Sequence, residues 1–142
     1  MVATANWTWQ EGADLVMSFI YKEGLEGDEM PVDLTGYQLR MDVVSASERV
    51  FTFNSDDIDD VAVDVVGLSD NEATLGSDGS VKIVVPRALT LPGGPVFDLF
   101  PVDPQASLLL NYDIFLRKIA TNTQDKILRG TITVERSYTL WP

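Results

Sequence analysis

Carboxylates are the most abundant reactive groups in this sequence, and many lie in two segments, NSDDIDD at residues 54–60 and LSDNEATLGSDG at residues 68–79. Clustered carboxylates can bind calcium, and a pair of them can cleave a glycosidic bond when one acid is desolvated. Neither segment has the glycine and the distal glutamate of an EF-hand loop, and no apolar neighbours suggest a desolvating cleft. We therefore expect no metal site, no cofactor and no catalytic residues, only a solvated acidic surface.

Aromatic side chains provide the second set of candidates. Trp7 and Trp9 flank Thr8, so their indole rings share one side of an extended chain. Such a pair can stack on a sugar or on a neighbouring subunit, or it can belong to an N-terminal strand that covers the core. Since aromatic residues anchor many protein interfaces, we take five as candidate partner-binding residues: Trp7, Trp9, Phe97, Phe100 and Trp141.

The chain contains no Cys and no His. It therefore lacks the thiolate and imidazole ligands of the usual zinc sites, and it has no Ser-His or Cys-His nucleophile pair. A disulfide framework is excluded as well. We expect a protein that is not an enzyme.

The formal net charge of −12 argues against nucleic acid or an anionic membrane as a partner, because both are bound by clustered Lys and Arg. Residues 1–80 carry 17 acidic and 3 basic side chains, whereas residues 81–142 carry 5 acidic and 7 basic ones. This asymmetry either helps to steer packing between copies or reflects only a solvated acidic loop.

A chain of 142 residues with 45% hydrophobic residues fits one globular domain, residues 1–142, with an N-terminal arm at residues 1–11. No run of about twenty apolar residues is present. The N-terminus lacks the basic start and the apolar stretch of a signal peptide. We expect a soluble protein that is made in a cytoplasm.

Alternating apolar and polar residues predict strands along most of the chain. In VDLTGYQLRMDV, Tyr37, Leu39, Met41 and Val43 fall on one side of an extended segment that follows a turn at Gly36. Residues 14–21 are apolar on one face and only partly polar on the other, so we expect a well-buried strand. Further strands are predicted at residues 50–53, 61–66, 80–85, 111–119 and 126–136, the last two joined as a hairpin. No segment predicts an amphipathic helix of three turns, so the sequence favours an all-β fold, an antiparallel β-sandwich of about seven to eight strands.

Two breaks in this pattern have structural meaning. Pro86 ends a strand and begins a short helical turn, and residues 92–110 form one long loop or insertion rich in Pro and Gly. The apolar residues of that loop either cover one end of the core or dock onto another subunit. Gly130 interrupts the last predicted strand, which indicates a bulge or a close approach of the backbone.

Four segments in order carry a family resemblance: EGADLVMSFIYKEG, PVDLTGYQLRMDV, GSVKIVVPRALT and NYDIFLRKIATNTQDKILRGTITVERSYT. This set, between about residues 12 and 139, resembles a family of small tailed-phage proteins and domains, similar to the immunoglobulin-like N-terminal domain of siphophage upper baseplate proteins. Two stretches are longer than the family pattern needs: the acidic residues 54–79 and the Pro-Gly loop at residues 92–104.

The resemblance implies an immunoglobulin-like sandwich and a structural role in a virion. We expect a tail or baseplate adaptor or attachment module whose partners are other phage virion proteins and which forms a symmetric homo-oligomer. The alternative is a capsid decoration or a carbohydrate-binding module on the virion surface. Both hypotheses place the protein in the virion after synthesis in the host cytoplasm.

Overall fold

The computed structural model describes residues 2–46, 48–54, 73–101 and 106–137. These residues form strands and two short 3-10 helices, Arg87–Thr90 and Phe97–Leu99, with no α-helix in the described ranges, so the predicted all-β fold is confirmed. The predicted strand at residues 61–66 lies outside the described residues. The strands are β1 (Ala3–Thr4), β2 (Trp7–Gln10), β3 (Leu15–Ile20), β4 (Lys22–Glu23), β5 (Met30–Pro31), β6 (Tyr37–Ser45), β7 (Glu48–Asn54), β8 (Ala73–Leu75), β9 (Ser80–Val85), β10 (Leu108–Lys118) and β11 (Thr123–Glu135).

The strands form two sheets and a small hairpin. The larger sheet has the order β1-β11-β10-β6-β7, with β2 also paired to β11, the smaller sheet has the order β3-β9-β8, and β4 pairs with β5. This arrangement is consistent with the predicted β-sandwich. It departs from a purely antiparallel one because β1 and β2 both run parallel to β11. These strands are far from β11 in sequence, so no hairpin fixes their relative direction.

One hydrophobic core contains buried residues of both sheets. On β6, Leu39, Met41 and Val43 are buried and alternate with less buried neighbours, as the sequence predicts. On β9, Ile83 and Val85 face the same core. Each such side chain contributes about 1.5–3 kcal/mol through its burial, so the alternation fixes which face of each strand points inward.

The outer face of β3 differs from the prediction of a well-buried strand. Leu15 and Met17 are buried on the inner face, but Val16 is 48% exposed and Ile20 is 54% exposed on the outer face. The prediction was wrong for this face because apolar residue types alone do not reveal whether a second layer covers a sheet. The described part of the protein therefore has an apolar, solvent-facing strand at the edge of its smaller sheet.

Two glycines have the backbone roles that the sequence indicates. Gly36 has a φ of 80° in the turn before β6, and its carbonyl oxygen accepts a 3.0 Å hydrogen bond from the Ile119 amide. At Gly130 of β11, a Cβ atom would lie only 1.9 Å from the Ala5 carbonyl oxygen. The close approach predicted at this position is therefore confirmed, and it lets the chain between β1 and β2 lie directly against β11.

Candidate functional site

Trp9 is a core residue and not a partner-binding one. Its side chain is fully buried, and its ring meets Phe51 edge to face with centroids 6.3 Å apart. The indole nitrogen donates a 2.7 Å hydrogen bond to the Ala13 carbonyl oxygen, so its polar atom is satisfied internally. The prediction that Trp9 lies exposed at an interface was therefore wrong, because β2 covers the core along β11.

Trp7 is only half-buried, but its indole nitrogen is also used within the fold. It donates a 2.8 Å hydrogen bond to the Tyr112 hydroxyl oxygen, and that hydroxyl donates in turn to the Ala5 carbonyl oxygen over 2.6 Å. Burial raises the pKa of Tyr112, an effect that the hydrogen bond from Trp7 partly opposes. Trp7 therefore offers a partner only the exposed part of its ring.

Phe97 and Phe100 lie together in the loop before β10. Their rings meet nearly at right angles with centroids 6.4 Å apart, and both are half-buried. Leu89 and Val96 of the same region are fully buried, which means that this loop covers part of the core. Phe97 and Phe100 are thus brought together next to buried loop residues, whereas Trp141 lies outside the described residues.

Arg136 joins this loop to the N-terminal arm. Its guanidinium carbon lies 4.6 Å from the centre of the Phe100 ring, a cation–π contact. Its Nε atom lies 3.6 Å from the Glu11 carboxylate oxygen Oε1. We call this group, Glu11 with Phe97, Phe100, Arg136 and Ser137, the terminal cluster.

Glu11 is an unusual member of the terminal cluster because it is a carboxylate with only 4% of its surface exposed. Its Oε1 atom accepts a 3.0 Å hydrogen bond from the Ser137 amide, and its backbone carbonyl accepts a 2.8 Å bond from the Ser137 hydroxyl. Its Oε2 atom is buried and has no hydrogen-bond partner in the described part of the chain. Sequence reasoning missed Glu11 since its partners lie more than 120 residues away and no local signal marks them.

An acidic cleft of about 610 Å³ lies between β11 on one side and β4 with the turn that follows it on the other. The Tyr21 hydroxyl donates a 2.7 Å hydrogen bond to Glu23. Partial burial raises the pKa of Tyr21 well above its usual range, and the hydrogen bond to Glu23 and the charges of Glu23 and Asp125 raise it further. Within the ranges that the structure describes, no three carboxylates are placed to hold a metal ion.

A second, more open cleft of about 340 Å³ lies where the chain passes from β1 to β2. Asn6 is tied to its wall, because its side-chain oxygen accepts hydrogen bonds from both the amide and the hydroxyl of Thr131, each 3.0 Å long. Across the cleft, Lys126 and Asp113 form an ion pair of 3.4 Å. The polar groups that line this cleft are therefore bonded in pairs within the fold, Asn6 with Thr131 and Lys126 with Asp113.

The acidic segments are described only in part. Residues 55–72 lie outside the described ranges, and with them most of the carboxylates that raised the calcium question. Asp78, at the end of the second segment, accepts a 3.0 Å hydrogen bond from the Ser80 amide. The bonds from Ser80, chiefly the one from its hydroxyl, lower the pKa of this carboxyl. Asp78 therefore acts as a turn residue that leads into β9.

None of the helices in the described ranges has the length and apolar character needed to cross a membrane. No protein family model matches this chain, and no curated protein is detectably similar to it.

Proposed function

We propose that this chain is a non-enzymatic structural component of a tailed-phage virion, an immunoglobulin-like domain that serves as a tail or baseplate adaptor or attachment module. It acts there in several symmetric copies, with other virion proteins as its partners. The sequence resemblance raises this proposal, and the lack of Cys and His favours a structural over a catalytic role.

The observation that carries the immunoglobulin-like part of the proposal is the strand order, while the virion role comes from the sequence resemblance. Immunoglobulin-like sandwiches pair strands B, E and D in one sheet and G, F and C in the other. Here β3, β9 and β8 have the chain order and pairing of B, E and D, while β11, β10 and β6 have those of G, F and C. The strand β7 then takes the place of an added strand beside C, as in variable-type domains.

Contacts between the resembling segments give further support. The Asp33 carboxylate accepts a 2.9 Å hydrogen bond from the Thr35 amide, and the Tyr37 amide donates to the Leu34 carbonyl, so the DLTGY segment is a tight turn. The bond from Ile119 to Gly36 joins this turn to the end of β10, which belongs to the fourth segment. Two of the four segments thus support each other at one end of the larger sheet.

The test is mass spectrometry of purified particles from the phage or lysogen that carries the coding sequence, together with gold-labelled antibody in electron microscopy. We expect the chain in the particles at several copies, with the label at the tail. Its absence from particles that contain the major capsid protein, used as the internal standard, would refute the proposal.

The alternative is a capsid decoration or carbohydrate-binding module. Burial of Trp9 removes the paired indole platform on which sugar binding would depend, and only the half-buried ring of Trp7 is left. Label on the capsid, or binding on a glycan array with or without chelator, would favour the alternative over a tail role.

A further inference from the structure

The edge of β3 that faces away from β9 has an array of backbone groups without partners in the described ranges. The hydrogen bond from the Tyr21 amide to the Gly79 carbonyl continues the ladder between β3 and β9, in which Leu15 lies opposite Val85. Alternate residues of an antiparallel strand bond to the same neighbour, so the N–H and C=O groups of Val16, Ser18 and Ile20 point away from β9. Among the described residues, these groups have no hydrogen-bond partner.

This edge also lacks the features that usually protect an edge strand. Exposed edges are normally blunted by charged residues, proline, bulges or short length. The six residues of β3 include no charge and no proline, and its register with β9 is unbroken. By contrast, β7 begins with Glu48 and Arg49 and has a register shift.

We propose that β3 pairs with β3 of a second copy of this chain, antiparallel about a two-fold axis through Ser18. In this register Val16 lies opposite Ile20 of the second copy, so the exposed apolar residues of the outer face meet each other. All the free N–H and C=O groups of Val16, Ser18 and Ile20 then find partners. The two smaller sheets become one continuous sheet across the dimer axis.

Charge complementarity at the ends of the strand selects this register. Asp14 precedes β3 and Lys22 follows it, and both are exposed. The Asp14 Oδ1 atom accepts a 2.8 Å hydrogen bond from the Arg87 amide, which holds the carboxylate in place at this end of the strand. In this register Asp14 of each copy lies opposite Lys22 of the other. An axis through Met17 would instead set Asp14 against Ile20 and Val16 against Ser18. The stretch from Asp14 to Lys22 is therefore self-complementary in charge, in apolar character and in hydrogen bonding, which favours a second copy over an unrelated partner.

The outer face of the smaller sheet extends the contact. Val16 lies opposite Val84 of β9 within one copy. Val84 is half-buried, so an apolar row would run from Val84 through Val16 to Ile20 of the second copy. The proposed pairing rests on the proposed function only in that the chain acts in several copies. It is tested on purified protein and not on virions. A failure of the pairing and a failure of the virion assignment are therefore separate results.

The first experiment measures the mass of the purified full chain by light scattering and sedimentation over a wide range of concentration. We expect a discrete dimer of twice the 15.7 kDa chain mass. The double variant V16K/I20K should be a folded monomer, because both side chains face solvent and lysine blocks edge pairing. The matched control L25K/L109K changes two other exposed apolar residues and should remain a dimer. A monomer at every concentration, open-ended polymers, or a dimer that survives V16K/I20K would overturn the proposal.

A second experiment tests the register. Because the chain has no Cys, S18C introduces a single thiol next to the dimer axis, where opposed Cα atoms about 5.5 Å apart allow a disulfide. We expect rapid, complete cross-linking of S18C under mild oxidation, and slow, partial cross-linking of the control L109C. The charge reversal K22D should raise the dissociation constant several-fold, and D14K/K22D should restore it. Because Asp14 accepts a hydrogen bond from the Arg87 amide, urea denaturation of D14K first establishes that this variant is folded. Equal cross-linking of the two thiol variants, or no rescue by D14K/K22D, would contradict the proposed register.

Discussion

Trp7 and Tyr112 are joined by a hydrogen bond of 2.8 Å from the indole nitrogen to the phenol oxygen, although 105 residues separate them. The same phenol donates to the Ala5 carbonyl oxygen, so one hydroxyl group satisfies two polar groups of the N-terminal arm. Tyr112 of β10 thereby binds β2 and the segment that precedes it by contacts that are independent of the β11 ladder.

Replacement of this hydroxyl should loosen the N-terminal arm. In Y112F the ring remains, but the Trp7 indole nitrogen and the Ala5 carbonyl lose their partner. We expect the free energy of unfolding to fall by about 1–3 kcal/mol, measured by urea denaturation, because partly buried polar groups are left unpaired. Unchanged stability would mean that water replaces the hydroxyl without cost.

The same variant should alter stability at alkaline pH. Because burial raises the pKa of Tyr112, the unfolded chain loses this proton at lower pH than the folded chain. The contribution is therefore complete below the unfolded pKa of about 10 and is lost as pH rises toward the folded value. We expect the fall in unfolding free energy above about pH 10 to be shallower in Y112F than in the unchanged protein, and equal slopes would contradict this.

Truncation to alanine should lower the free energy of unfolding much more at Trp9 than at Trp7. W9A removes a fully buried ring that contacts Phe51, so we expect a loss of about 3–5 kcal/mol in unfolding free energy. W7A removes a half-buried ring and one hydrogen bond, so we expect about 1–2 kcal/mol. Thermal and urea denaturation followed by circular dichroism measure both, and a larger loss for W7A would contradict the placement of Trp9 in the core.

The terminal cluster should depend on Arg136 because Glu11 is buried. In R136A the Glu11 carboxylate loses its cation and Phe100 loses its cation–π contact. We expect a loss of about 1–3 kcal/mol in unfolding free energy at neutral pH. R136K is the matched control and should recover part of this loss, since it keeps the charge but not the guanidinium group. Equal destabilisation of R136A and R136K would contradict a dominant role for the charge.

Gly130 should tolerate substitution less well than a glycine with open space around it. A Cβ atom there would overlap the Ala5 carbonyl oxygen, which forces the segment between β1 and β2 off β11. Gly27 has a φ of 91° but nothing within 4 Å of its Cβ position, so G27A carries only the backbone strain, about 1–2 kcal/mol. We expect G130A to lower the unfolding free energy by more than G27A in the same urea assay. The reverse order would show that β1 is not needed for stability.

Local patterns predicted the elements whose neighbours are close in sequence. The alternation of Leu39, Met41 and Val43 identified β6, and the polar turn between β10 and β11 identified their hairpin. The strand predicted at residues 80–85 has the bounds of β9. In each case the strand or hairpin is specified by the side-chain period of two or by a short turn. A single sequence is therefore enough to predict these elements.

Features that depend on distant contacts were not accessible in this way. Trp9 and Val16 are both apolar residues in strands, yet one is buried and the other is exposed, because the difference lies in which elements pack against them. The parallel pairing of β2 with β11 and the burial of Glu11 against Ser137 join residues 125 or more positions apart. No local pattern specifies such pairings, and the contact of Glu11 with Ser137 belongs to the terminal cluster.

The parallel course of β1 and β2 along β11 has a mechanical consequence. Ala3 lies beside Leu128 and Gln10 lies beside Glu135, so the N-terminal and C-terminal strands run side by side in the same direction. Tension applied between Ala3 and Glu135 would pull these strands past one another lengthwise. The backbone hydrogen bonds that join β1 and β2 to β11 would then be loaded together in shear, instead of breaking one after another. Tension between these two ends would therefore load the larger sheet along its strands.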